Sequence, residues 1–441
     1  MAVSDDVLRE ILVRLNDAAD LFRCATTCKR WRGLVADPSF LRLRWPEHAR
    51  PSFAGFFIKD RGRYQGAKVL VPMPSSELGP GRRALSSFVP GDSADLLHHA
   101  VPLCSSRGLL LVRLASQSAA GAVHLAVCNL LAGTWDVLLP AHVDCRSRAG
   151  ERSGYTIVTG TDYCSSDDEQ PPGNSSFFKV IIITVNYTDN LTFDLNMFSS
   201  QEASWSMGTA CFKGTSIHAT GSFCHSDAVM RHGTAHWLFR DERARRFCHL
   251  KLKNQDDHVS LAIIRLPVSL MTGVGYPCLS LATDGTLSVL QMKGTSSQLE
   301  IWKLQEDQQS AGTTSEWLFT QRIELMHPRK DTQGGERFYI LAEKCGKLLV
   351  KDTRERVYTG DLQTGAMEEV VDWPRTRHTS TPNVMPLELD WAAFFVSRLG
   401  TISNPDIPVS SPSGEGSSRK RGQCGGAGGG KARDCGEVTD A

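Results

Sequence analysis

The chain reads as mainly β with a small all-α domain at its amino terminus, and three observations lead there. Residues 4–40 carry apolar side chains at helical spacing over three successive segments. From Phe53 to Val396, short β-branched, leucine or aromatic runs alternate with Gly, Asp, Asn or Ser turns, and two stretches of that region repeat each other. A chain of 441 residues has room for one small and one large domain. The expected boundaries are 1–45 for the helical domain, 53–399 for the sheet domain and 400–441 for a disordered tail rich in Gly, Ser, Lys and Arg.

The helical stretch is SDDVLREILVRLNDAADLFRCATTCKRWRGLVADPSF. Val7, Leu8, Ile11, Leu12 and Leu15 share one face, Ser4 or Asp5 is placed to cap the first turn, and Asp6 and Glu10 suit the positive end of the dipole. After Asn16-Asp17, the residues Leu21, Cys24, Ala25 and Cys28 recur at helical spacing, and a third segment carries Trp31, Leu34 and Val35 until Asp37-Pro38 ends it. Cys24 and Cys28 stand one helical turn apart, a spacing that could be mistaken for a redox or metal pair. A core of this size rarely supplies more than about 3–5 kcal/mol, so another surface must cover the apolar stripe.

In the sheet domain, 108–114, 124–128 and 135–139 form one set of strands, with a turn at 129–133. Residues 278–283, the Asp284-Gly285 hairpin signal, 286–291 and 299–304 form another. The repeated stretches are VCNLLAGTWDVLLP at 127–140 and TGDLQTGAMEEV at 359–370, each a strand, an x-L-x-x-G turn and a strand. Gly133 and Gly365 lie 232 residues apart. That distance is close to five units of about 46, a propeller-blade period, and it predicts a β-propeller of roughly six to eight blades. Weaker echoes occupy 193–205, 237–252 and 299–317. A pair of β-sandwiches is the alternative architecture. Segments 79–95, 162–176 and 305–315 read as loops, the second acidic and proline-bearing, either a solvated excursion or a recognition loop. Trp391, Phe394, Phe395 and Leu399 predict a short closing helix, with a final strand as its rival.

Charge and composition exclude several classes. Lys plus Arg at 49 against Asp plus Glu at 48 leaves a net charge of +1, so no overall field draws nucleic acid or an anionic membrane. The acidic start MAVSDD lacks a secretory apolar core, and the aliphatic run 180–185 falls far short of the about 20 residues a span needs. A soluble intracellular chain is expected, cytoplasmic, nuclear or both. Its thirteen cysteines form no C-x-x-C pair, which fits reduced thiols, and the acceptor sequences at Asn174, Asn186 and Asn190 are moot without a secretory route. Arg419-Lys420-Arg421 is a low-specificity nuclear-import pattern. No nucleophile elbow, phosphate loop or H-E-x-x-H motif occurs. His98-His99, and His218, His225, His232 and His236 with Cys211 and Cys224, fit no zinc spacing, so neither metal nor cofactor is expected.

The order D-D-V-L-x-E-I-L-x-R-L, then L-F-R-C, then C-K-R-W-R-G-L-V-x-D-P-S-F closely resembles the F-box, the adaptor-docking motif of cullin-RING ubiquitin ligases. The Leu-Pro pair that usually opens the motif is here Val3-Ser4. C-S-S-R-G-L-L-L-V, the repeat at 127–140 and H-G-T-A-H-W-L resemble the F-box-associated β-propeller of plant F-box proteins. The resemblance implies a three-helix F-box followed by a propeller, acting as the non-catalytic substrate receptor of an SCF-type E3 ligase. Its implied partners are a Skp-type adaptor, through it a cullin, and an unidentified protein substrate, with no membrane or nucleic acid. The implied adaptor-docking residues are Val3, Leu8, Ile11, Leu12, Leu15, Leu21, Cys24, Cys28, Trp31 and Leu34. Two other classes stay open: a non-degradative scaffold that uses adaptor binding for regulation, and a propeller enzyme.

Overall fold

A computed structural model describes residues 3–15, 17–45, 52–59, 68–73, 76, 78, 81–89, 94–114, 123–139, 153–162, 177–187, 191–211, 221–242, 245–255, 258–282, 284–294, 297–306, 315–328, 337–370, 373 and 384–400. All of them belong to one compact unit, Met1–Gly400. The expected disordered tail with its basic triplet lies outside the described residues, as do Asn174, Asn190, His218 and most of the acidic segment at 162–176.

Four helices open the chain: α1 (Asp5–Val13), α2 (Ala18–Thr27), α3 (Lys29–Ala36) and α4 (Pro38–Arg44). Each starts on a side-chain cap that satisfies an otherwise orphaned backbone N–H. Ser4 accepts from Val7 N, Asp17 from Ala19 N at 2.7 Å, Cys28 Sγ from Trp31 N at 3.4 Å, and Asp37 from Ser39 N at 2.7 Å. The sequence predicts three helices ending at Asp37-Pro38. The structure has a fourth, because proline at the first helical position loses no hydrogen bond and its fixed φ suits the turn. Asp37 thus closes α3 and caps α4.

The rest is a propeller of six sheets. Blade 1 pairs Val384–Leu389 with Ser52–Lys59, then Lys68–Pro72 and Arg83–Ala84. A short helix α5 (Ala94–His98) leads to blade 2, Val101–Ser106, Leu109–Arg113, Leu125–Asn129 and Thr134–Val137. Blade 3 is Ser153–Thr159, Phe178–Tyr187, Leu191–Ser199 and Ser204–Cys211. In blade 4, Gly221–Phe223 and Val229–Arg231 both pair with Thr234–Asp241, followed by Arg246–Gln255 and His258–Arg265. Blade 5 is Gly273–Leu281, Leu287–Lys293, Gln298–Glu306 and Ser315–Glu324. Blade 6 is Phe338–Lys344, Lys347–Asp352, Val357–Asp361 and Met367–Glu369. Inner strands touch from blade to blade, with Gly221–Phe223 of blade 4 meeting blade 3 and its Val229–Arg231 meeting blade 5, and Val384–Leu389 touches the first strands of blades 6 and 2, so the ring closes.

Closure uses both ends of the domain. The innermost strand of blade 1 comes from the carboxyl end, with Phe57 opposite Met385 and Ile58 opposite Val384. Inner strands are covered on both faces by neighbouring blades, which is why Ser153–Thr159 and Val384–Leu389 are buried at every position. The six-blade ring takes the place of the sandwich alternative, and it falls at the low end of the expected count. The repeated stretches at 127–140 and 359–370 are equivalent hairpins, the third and fourth strands of blades 2 and 6, each with a left-handed glycine at its turn, Gly133 at φ 68° and Gly365 at φ 72°. They stand four blades apart rather than five, so the mean step is about 58 residues; loops of unequal length between blades conceal the true period.

The predicted closing helix is α6 (Trp391–Gly400), directly after the inner strand of blade 1. It lies between the amino-terminal helices and the propeller. Phe395 is fully buried, 5.8 Å from Phe22 and 5.2 Å from Trp45 between ring centroids, and Phe394 stands 5.7 Å from Phe22. One continuous apolar core therefore runs from Leu12, Leu21 and Phe40 through Phe395 and Leu399 to Leu387, Leu110 and Ala126 of blades 1 and 2.

Candidate functional site

Two features of this frame are shaped for contact, the outer face of α1 and the central channel. On α1 the apolar residues split into two sets. Leu8 and Leu12 are buried in the bundle, whereas Val3, Val7 and Ile11 are 49%, 47% and 52% exposed. Val7 and Ile11, one turn apart on α1, and Val3, just before the Ser4 cap, thus form an apolar patch that no part of this chain covers among the described residues. Two ion pairs fix the angle at which α1 is presented. Arg9 reaches Asp37 at 3.0 Å, between α3 and α4, and Arg30 of α3 binds Asp5 at 2.6 Å and the Val3 carbonyl. The Ser39 hydroxyl, with help from Arg9, holds the Asp37 carboxyl below the usual aspartate range, against the opposing effect of its partial burial.

The residues expected to dock an adaptor divide accordingly. Leu8, Leu12, Leu21 and Leu34 are core of the helical domain, and Leu15, Cys24 and Trp31 are half-buried against that core. Val3, Ile11 and Cys28 are exposed. Cys28, which the F-box resemblance implies is a small core residue between helices, instead sits on the surface and caps α3, because α2 ends one residue before it and its backbone is extended. Val7 is the exposed residue that the expected set lacks. Helical spacing puts it on the apolar stripe, but spacing cannot separate the inner from the outer half of a broad stripe.

The channel is a cavity of about 530 Å³ on the propeller axis, lined toward the carboxyl ends of the inner strands and by the turns that follow them. Gly108, at φ +80° in the turn after the blade 2 inner strand, lets that turn approach Asp390, where an added Cβ would lie 3.0 Å from the Asp390 backbone. Lys344 Nζ binds Glu388 Oε1 at 2.7 Å, and Glu388 Oε2 accepts from Arg107 N at 3.4 Å. Arg107 Nε donates to Asp162 at 3.2 Å, and Glu343 accepts from Gly346 N at 2.8 Å. Burial pulls the Lys344 amine down, but the Glu388 carboxylate and its hydrogen bond more than reverse this and the group ends above the usual lysine value. Burial pushes the Asp227 carboxyl up and pulls the His225 imidazole down, each partly offset by the other's charge. Burial also pushes the Cys104 and Cys278 thiols well up, so neither is a ready thiolate nucleophile.

Of the histidines and cysteines considered for metal, His225 and His232 line this channel, while His236 bonds His249 at 2.8 Å inside blade 4. No group of three or more His, Cys, Asp or Glu suited to a metal ion occurs among the described residues. No helix of the described residues is long and apolar enough to cross a membrane.

Residues 5–43 match a family model described as F-box-like. No curated protein matches the chain. Among solved structures, apo AztD from Citrobacter koseri shares 10% identity over 76% of this chain and 89% of that one, with a TM-score of 0.34. A putative 6-phosphogluconolactonase from Bacteroides uniformis shares 13% over 76% and 100%, at 0.32. The β-propeller domain of the trilobed protease from Pyrococcus furiosus shares 10% over 75% and 99%, at 0.32. Likenesses this remote say nothing about what the chain binds. The family match and the ring of sheets together establish that the chain carries an F-box-like domain at residues 5–43, followed by a six-bladed β-propeller.

Proposed function

We propose that the chain is the substrate-binding subunit of an SCF-type ubiquitin ligase, non-catalytic and working in the cytoplasm, the nucleus or both. F-box domains generally bind Skp-type adaptors, and the exposed apolar patch of Val7 and Ile11 on α1 with Val3 just before it is the observation that carries this reading. An adaptor laid over that patch buries what the chain leaves wet, with Cys28 at the margin and the half-buried Leu15, Cys24 and Trp31 behind it. The adaptor brings a cullin, and the propeller holds the protein to be modified. The contribution is proximity: a substrate lysine held near a charged conjugating enzyme reacts at a raised effective concentration with no reacting group on the receptor.

The test is co-purification of the full chain with adaptor and cullin, wild type against a Val7→Asp, Ile11→Asp variant. These positions are exposed, so stability should change by less than about 0.5 kcal/mol. Adaptor affinity should fall by about 2 kcal/mol or more, roughly thirtyfold. Leu12 is unsuitable, since a charge there lands in the core. Unchanged adaptor recovery sinks the proposal, and adaptor without cullin replaces it with the non-degradative scaffold.

A further inference from the structure

We infer that Arg30 is a positioning residue of the adaptor-docking patch, one that holds Val3 where an adaptor meets it. The inference rests on the receptor reading and adds to it a residue that serves the patch from α3 without belonging to its apolar set.

The three apolar residues of the patch are not held alike. Val7 and Ile11 belong to α1, whose backbone bonds and buried neighbours Leu8 and Leu12 fix their direction. Val3 stands outside the helix. Ser4, the cap, is extended at φ −66° and ψ 156°, and the helical ladder begins with the Ser4 carbonyl, which accepts from Leu8 N at 3.1 Å. The Val3 carbonyl falls one residue short of that ladder. Its partner is Arg30, 27 positions further along the chain, in the one hydrogen bond that Val3 makes among the described residues.

The shape of the guanidinium suits this task. Arg30 Nε and Nη2 donate to the same Asp5 oxygen, at 2.8 and 2.6 Å, and Nη2 also donates to the Val3 carbonyl. Asp5 opens α1, so two bonds set the planar group against the helix end and direct a remaining N–H at Val3. α3 is itself anchored in the core by Leu34 and Val35, so Arg30 passes the fixed position of α3 on to Val3. Fold stability does not account for the arrangement, since the Arg30 and Asp5 side chains are 43% and 55% exposed and such pairs add little. Preorganisation does account for it. A docking residue already in place spares the association the entropy of ordering it.

The test is calorimetric titration of the purified full chain with a Skp-type adaptor, as a double-mutant cycle of Arg30→Gln and Val3→Ala. Arg30→Gln alone should weaken binding by about two- to tenfold, the range expected for one side chain that must be ordered on association. In the Val3→Ala background the same change should cost less than about twofold, because the side chain that Arg30 positions is gone. Equal losses in both backgrounds would mean that Arg30 touches the adaptor itself or supports α1 as a whole, and would overturn the inference, as would an unchanged affinity in Arg30→Gln. A second measurement needs no adaptor. Methyl relaxation of the free chain should show Val3 becoming more mobile in Arg30→Gln while Val7 stays as it was. An unaltered Val3, or both valines loosening together, sinks the inference. A wild-type chain that does not bind the adaptor removes the receptor reading instead, and the relaxation data still decide whether Arg30 holds Val3.

Discussion

Each amino-terminal helix is started and held by contacts between residues a few positions apart, whereas the first blade joins Phe57 to Met385 across almost the whole domain. Each helix carries its own cap, and the local ion pairs Arg14 to Glu10 and Arg23 to Asp20 reinforce single turns. The propeller has no such self-sufficiency, since every blade is covered by two others and the ring exists only when its last strand returns to its first. Yet the locally determined part is the one that cannot stand alone. Its core is continuous with α6 and blades 1 and 2, so the fold of the small domain borrows stability from the large one. Local legibility and local stability are separate properties.

That contrast can be broken by experiment, beginning with the largest effect. Deleting residues 384–400 removes the inner strand of blade 1 and α6 together, and the product should show no cooperative unfolding transition by calorimetry. A cooperative melt near that of the full chain would mean that the ring does not depend on its closing strand. A smaller effect is expected of Phe395→Ala, which empties the space between Phe22, Trp45 and Phe394 and should cost about 3–5 kcal/mol in denaturant unfolding. Hydrogen exchange should then show the helices opening before the propeller. Simultaneous opening of both would contradict the borrowed-stability view.

The smallest effect compares the two repeated hairpins with each other. In blade 6 the Asp361 carboxylate binds Lys347 at 2.7 Å and accepts from Gln363 N and Thr364 N, which hold its pKa at about 2 against the usual 3.8. A carboxyl depressed in the folded state adds stability above its unfolded value, and loses it as pH falls from about 4 towards 2. The Lys347 and Asp361 side chains are both partly exposed, so screening by water should keep the contribution below about 1 kcal/mol. The equivalent residue of blade 2 is Asn129, whose Oδ1 accepts from Ala132 N at 3.0 Å and cannot titrate. Asp361→Asn should therefore remove part of the acid sensitivity between pH 4 and 2, and Asn129→Asp should add to it. Matching acid-unfolding curves for wild type and both variants would show that these turns do not contribute.

Much of the fold was legible because its signals are short in range. Ser4 marks the first helix start, Asn16-Asp17 the break before the second, Gly133 and Gly365 the turns of matching hairpins, and Trp391 to Leu399 the closing helix. The fourth helix was hidden because Pro38 reads equally as a stop and as a first helical residue. The blade period was hidden because loops between blades differ in length. On the docking face the apolar stripe of α1 was visible, but its division into buried Leu8 and Leu12 and exposed Val7 and Ile11 depends on where α3 and α4 lie.

The sequence by itself determined the elements: which stretches are helix, which are strand, and where most of them turn, since caps, apolar period and left-handed glycines act within a few residues. Only the tertiary structure decided which apolar side chains stay wet and which carboxyl groups meet in the channel. His225, Lys344 and Glu388 come from three different strands or turns and share a cavity only because six inner strands close on one axis. Ring closure is a property of all the blades together, and no local pattern of residues records it.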